Sequence, residues 1–265
     1  MMDRAAAHEQ AVQSPLTPGE AMIELHGIRK YFGDNHVLDG VNLAIRRGET
    51  HIILGRSGIG KSVMLKLICG LMFPDRGSIV IDRQRMERGR GLRRRAALAK
   101  IQMLFQSSAL FDSMSVAQNI AFHAIEHGQI KPSGVAGFAQ PYLEMVDLPL
   151  AGALTPAELS GGMRKRVALA RALAAQPKIM LYDEPTTGLD PLTGEVINKL
   201  IRETQKRFGV TSVVVTHDLR SAQEVGDRCS FLEDGVILET TTPDQLSQSI
   251  YAVIRDFSAK AAVQA

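Results

Sequence analysis

The stretch Gly55-Arg56-Ser57-Gly58-Ile59-Gly60-Lys61-Ser62 constrains this chain more than any other part of it. It follows the apolar run Glu49 to Leu54, which reads as a buried strand, and it opens a segment, Lys61 to Gly70, where Met64, Leu65, Leu67 and Ile68 recur at helical spacing. Gly70 and Pro74 close that helix. A glycine-rich loop between strand and helix lets successive backbone N–H groups converge on one point without Cβ clashes, and the helix N-terminus adds partial positive charge. In this context the pattern G-x-x-x-x-G-K-[ST] is a cradle for phosphate. Gly55, Arg56, Ser57, Gly58, Ile59, Gly60 and Val63 frame it, Lys61 reaches the β- and γ-phosphates of a bound nucleotide, and the Ser62 hydroxyl is a ligand for Mg²⁺.

A cradle of this kind needs an acidic partner, and Ile179-Met180-Leu181-Tyr182-Asp183-Glu184 supplies one as an apolar strand ending in two acids. Asp183 is the candidate to hold Mg²⁺, directly or through water. Glu184 is the candidate to orient and deprotonate the water that attacks the γ-phosphate. A third element, Leu159-Ser160-Gly161-Gly162-Met163, opens a long helix from Arg164 to Ala174, with Ser160 as a favourable N-cap and glycines that bare the backbone amides. It reads as a second helix N-terminus able to receive an anion.

Around these motifs the periodicity predicts strands at Met22 to Ile28, Val37 to Ile45 with a turn at Asp39-Gly40, Ser78 to Asp82, Ile101 to Gln106 and Ser212 to Thr216. A hairpin of Cys229 to Glu233 and Val236 to Thr240 follows, and Ile250 to Phe257 reads as an amphipathic helix. From Val116 to about Leu173 the pattern is helical, a lobe inserted between strands of one α/β domain. The longest nearly apolar stretch, Ser62 to Phe73, contains Lys66 and is too short to span a bilayer, which points to a cytoplasmic chain. Cys69 and Cys229 have no metal-ligand spacing and read as reduced, buried thiols. A net charge of +3 carries no nucleic-acid footprint, although seven arginines crowd Arg83 to Arg95, in a segment that reads as helical up to Lys100. That segment reads either as a solvated helix face with a basic loop or as a contact for anionic lipid or an acidic partner; without interleaved aromatics it is no stacking platform for single strands.

Taken with the phosphate loop, Tyr182-Asp183-Glu184-Pro185, Gly188-Leu189-Asp190 and His217 at a strand end, the run Leu159 to Leu173 resembles the nucleotide-binding subunit of ABC transporters. The resemblance implies a P-loop NTPase core of mixed β-sheet with flanking helices, an antiparallel β subdomain and an inserted helical subdomain. On that division, residues 1–20 are a disordered lead, 21–245 the ATPase domain with the helical subdomain at about 107–175, and 246–265 a C-terminal helical tail. It further implies an ATP-hydrolysing head-to-tail homodimer, in which Ser160, Gly161 and Gly162 of one copy complete the site of the other and Asp190 contacts the opposite subunit. Gln106 then senses Mg²⁺ and the attacking water, His217 meets the γ-phosphate, and Phe32, with Tyr31 second, stacks on adenine.

Met163 stands where sugar and amino-acid importers carry glutamine, and Arg164, Lys165 and Arg166 follow it. Together with Ala109 to Val116 and Pro156-Ala157-Glu158, this resembles the Mla/Mce branch, whose ATPases power lipid traffic across the envelope. That branch implies a transmembrane permease dimer, an MCE-domain lipid-binding protein, a small STAS-domain partner near the tail, and a place on the cytoplasmic face of the inner membrane. Leu110, Phe111 and Met114 are then candidates for contact with the permease. The ATPase of an amino-acid or other polar-solute importer, or a division-type ATPase outside transport, remains the alternative on the same catalytic residues.

Overall fold

The computed structural model describes residues 20–86, 89 and 91–263. Apart from Glu20, the expected disordered lead lies outside the described residues, as do Glu87, Arg88 and Arg90 of the basic segment. Two sheets organise the described chain. The antiparallel one runs in the order β2-β1-β4-β5, from β1 (Ala21–Phe32), β2 (Asn35–Arg46), β4 (Arg76–Ile81) and β5 (Gln84–Arg85). The other runs β10-β9-β3-β8-β7-β6, from β3 (Thr50–Leu54), β6 (Ile101–Leu104), β7 (Ile179–Asp183), β8 (Thr211–Thr216), β9 (Arg228–Glu233) and β10 (Val236–Thr241). All its pairings are parallel except β9 with β10.

Period-two alternation splits the second sheet's side chains between two cores. Ile53, Leu181, Val213 and Val215 face α1 (Lys61–Ile68) and the antiparallel sheet, whereas Ile52, Leu54, Met180, Tyr182 and Val214 pack toward the helical lobe. Both faces are covered, as a parallel sheet requires. The lobe consists of α3 (Val116–Glu126), α4 (Val135–Met145) and α5 (Gly161–Ala174). Helices α6 (Pro191–Phe208), α7 (Leu219–Val225) and α8 (Ala252–Val263) pack into the same core as the lobe.

Several expectations change in detail. Asp39-Gly40 is a bulge inside β2 and not a turn: Ile28 pairs with Val41 and Arg29 with Asp39, which leaves Gly40 unpaired. The chain turns instead at Gly33-Asp34, so β1 runs on to Phe32 through a polar stretch that its apolar pattern could not mark. In the arginine-rich segment Gly91 sits at the N-cap, and helix α2 spans only Leu92–Leu98. The C-terminal helix begins at Ala252; Ile250 lies outside it and is exposed, while Ile254 is buried and Phe257 meets Phe231 edge-on at 5.2 Å. Cys69 and Cys229 are free; Cys229 is buried as expected but Cys69 only half-buried, and burial pushes both thiols up, that of Cys229 to about 12. Among the described residues no helix is long and apolar enough to cross a membrane.

Candidate nucleotide site

Strand register gathers the candidate residues at one edge. Leu104 pairs with Tyr182, Asp183 with Val215 and Leu54 with Thr216, so Gln106, Glu184, His217 and the glycine loop all leave the sheet at neighbouring carboxyl ends. That is where a parallel sheet presents its ligands. They border a cleft of about 450 Å³ whose walls include Phe32, Gly58, Ser62, Gln106, Glu184 and His217.

The loop turns sharply into α1 at Gly60, whose φ of 113° favours a residue without Cβ. A Cβ there would lie 2.8 Å from Cγ1 of Val37 and 3.1 Å from its carbonyl oxygen, so the loop rests directly on β2. Lys61 is buried, and its ammonium donates to the carbonyls of Gly55 at 2.8 Å and Arg56 at 2.9 Å. It also stands 3.3 Å from Oε1 of Glu184. The Ser62 hydroxyl donates to Oδ1 of the buried Asp183 at 2.7 Å. A hydroxyl and a carboxylate side by side are hard oxygen donors, a set that fits Mg²⁺.

Glu184 directly follows β7 in the left-handed region, with φ of 47°, and its N–H donates to Val215 O at 3.0 Å. Its Oε2 accepts from the Thr187 hydroxyl at 3.1 Å and lies 2.9 Å from Nδ1 of His217. The carboxylate is therefore fixed between a lysine and a histidine, 12% exposed at the floor of the cleft. Of the aromatic pair, Phe32 is exposed on the cleft wall, whereas Tyr31 packs on the His36 ring at 4.3 Å.

Ser160, Gly161, Gly162 and Asp190 are not among the residues lining that cleft. Ser160 is the N-cap of α5, its hydroxyl accepting from Met163 N at 3.2 Å. Gly161 is exposed and Gly162 buried. Asp190 caps α6 within the same chain, accepting from the Thr193 N–H and hydroxyl at 3.0 and 2.6 Å, and those bonds hold its carboxyl below the usual range.

Sequence reasoning missed four contributors. Thr187 braces Glu184. Buried Asn119 holds the 111–115 segment through the N–H and carbonyl of Phe111 and the carbonyls of Met114 and Ser115. From α5, Arg171 donates to Ala109 O at 2.7 Å and Ser108 O at 3.3 Å, while Lys165 grips the turn after Glu184. One signal was there to find Lys165: it falls on the stripe of α5 that also buries Gly162, Leu169 and Ala172.

A lysine, a serine hydroxyl and paired carboxylates delivered by a glycine loop and an acidic strand define a P-loop nucleotide triphosphatase. Within that class the chain belongs to the ABC transporter family, whose profile matches residues 38–187. It is an ATP hydrolase that uses ATP with Mg²⁺. It is 40% identical over 226 residues to the glutamate transport ATP-binding protein GluA of Corynebacterium glutamicum, covering 84% of this chain and 91% of that one. It is 38% identical over 228 residues to the intermembrane phospholipid transport system ATP-binding protein MlaF of Haemophilus influenzae, covering 86% of each. Relatives from polar-solute and lipid systems thus match alike. Among solved structures it is similar to the dimeric post-hydrolysis state of the ATP-binding cassette MJ0796 bound to ADP and Pi, with a TM-score of 0.76 and 34% identity over 84% of this chain and 99% of that one.

Proposed function

We propose that this chain is the ATPase of a phospholipid transporter, working as a homodimer on a permease pair at the cytoplasmic face of the inner membrane. The observation that carries the hydrolytic part is the placement of Glu184 between Lys61 and His217. Two of the three lysine N–H groups are bound to the loop carbonyls of Gly55 and Arg56, and the remaining contact, with Oε1 of Glu184, is the one a γ-phosphate oxygen would take. The freed carboxylate then accepts a proton from water in line with the phosphorus, and His217 donates to the phosphate. Ser62, Asp183 and Gln106 would hold Mg²⁺, which draws charge from the phosphates. Phe32 stacks on adenine. Ser160, Gly161 and Gly162, lying away from the cleft of their own chain, serve the nucleotide of the second copy, with Asp190 beside them.

The lipid cargo is supported by Met163 and the basic triplet after it, by the 109–116 segment with Phe111 exposed, and by the phospholipid-system relatives. An MCE-domain carrier and a small STAS-domain protein complete the assembly we infer. The amino-acid relatives favour a second reading, an importer of polar solutes on the same chemistry. One preparation separates the two. Glu184→Gln should bind ATP, stay dimeric and lose roughly 100-fold or more in turnover. Mass spectrometry of its complex from native membranes should then find phospholipid and an MCE-domain protein. Wild-type turnover would remove Glu184 as the base, and a solute receptor in place of the MCE protein would sink the lipid reading.

A further inference from the structure

Lys165 sits in the first half of α5, a helix that begins at its own cap, Ser160. Although it lies within a run of basic residues, it is only 5% exposed. Its ammonium donates to the carbonyl of Pro185 at 2.7 Å, of Thr187 at 3.0 Å and of Glu184 at 3.3 Å. An ammonium has three N–H donors and no acceptor, so this group is fully spent on one turn of backbone. That turn starts at the left-handed Glu184 and carries the Thr187 hydroxyl that braces the Glu184 carboxylate. A strained backbone persists only where its surroundings over-determine it, and the lysine adds its constraint to that of β8, whose Val215 carbonyl holds the Glu184 N–H.

We propose that Lys165 is a positioning residue for hydrolysis: it fixes the turn from which Glu184 reaches its water and ties that turn to the helix headed by Ser160. The inference rests on Glu184 as the base. No other side chain could make the same three bonds. Glutamine offers one amide with two N–H groups, methionine fills similar volume with none, and arginine presents a planar fork instead of a tetrahedral head. The contacts run to carbonyls and not to the carboxylate, so removing them displaces the base. A misplacement of about 1 Å at a reacting group can cost on the order of 100-fold in rate. Lys61, which holds phosphate, lies on a different element and is left untouched.

The test uses the full chain with Lys165→Met and Lys165→Gln, assayed beside Glu184→Gln. Turnover, KM for ATP, affinity for the fluorescent analogue TNP-ATP and melting temperature are measured well below the midpoint of unfolding. The expected result is a fall in kcat of about 10- to 100-fold for Lys165→Met, with TNP-ATP affinity within about twofold, and partial recovery in Lys165→Gln. Folded Lys165→Met with wild-type kcat overturns the proposal, as does a loss appearing equally in nucleotide affinity. If the methionine variant does not fold, the glutamine variant decides: reduced kcat at unchanged affinity supports the role, and wild-type kcat ends it. The two assignments stay separable. An inactive Glu184→Gln beside an unaffected Lys165→Met removes only the lysine, whereas an active Glu184→Gln removes the base and the lysine's role with it.

Discussion

At the scale of single residues, Gly161 and Gly162 are not equivalent. A Cβ on Gly162 would stand 2.3 Å from Cγ2 of Thr193, whereas one on Gly161 would meet nothing closer than Leu189 Cδ2 at 3.8 Å. The second glycine is therefore required by the packing of α5 on α6, whatever it does for phosphate. Thr193 cannot swing away freely, because its hydroxyl and N–H are both held by Asp190. Gly162→Ala should lower unfolding stability by about 1–3 kcal/mol, the usual cost of overpacking. Adding Thr193→Ser, which removes Cγ2 and keeps the hydroxyl on Asp190, should restore most of the loss in a urea double-mutant cycle. Strict additivity of the two changes would show that the clash is not the cause. Gly161→Ala should leave stability level or slightly raised, since alanine is the better helix former. The glycine pair was plain in the sequence but the division of labour was not, because it depends on Thr193, which no spacing rule connects to the motif. Lys165 was hidden differently: between Arg164 and Arg166 it resembles one more solvated charge, and only its place on the buried stripe of α5 separates it.

At the scale of elements, a carboxylate is among the ties between the two sheets. Asp82, in the turn between β4 and β5, accepts from Arg47 just after β2 and from Lys100 just before β6, each at 2.5 Å. The hydrogen bonds from Lys100, then Arg47, hold its carboxyl at about 2, below the usual aspartate value of 3.8. A folded-state value below the unfolded one contributes stability that is present above the unfolded value and lost as pH falls through the folded one. Asp82→Asn should thus cost about 1–2 kcal/mol at pH 7, after discount for solvent screening, with the difference from wild type closing between about pH 4 and pH 2. Urea unfolding at the two ends of that range measures it, and a gap that persists at pH 2 would assign the effect to shape and not charge. The strands that carry the site were readable because their apolar runs end abruptly in function-bearing residues. The antiparallel sheet was less so. Its pairing carries β1 through Arg29 and Lys30, and the bulge at Gly40 mimics a turn, since the same residue types serve both.

At the scale of the whole molecule, the candidate nucleotide contacts fall on separate surfaces of one chain: the cleft at the sheet edge and the start of α5. The proposed dimer would bring them together. Replacing Ser160 by arginine should cost about 1 kcal/mol through the lost cap, leave monomer affinity for nucleotide unchanged, and abolish ATP-dependent dimerisation in sedimentation runs. Dimers that still form would place the second contact elsewhere.

Helix α5 grips two loops, Ser108–Ala109 through Arg171 and the 184–187 turn through Lys165, and in both it holds backbone carbonyls. A mooring made to carbonyls does not read the side chains of what it moors. On the permease contact proposed above, loop residues beside Phe111 could be exchanged to suit a different partner while the loop keeps its spacing from the Glu184 turn, because α5 holds both through main chain alone.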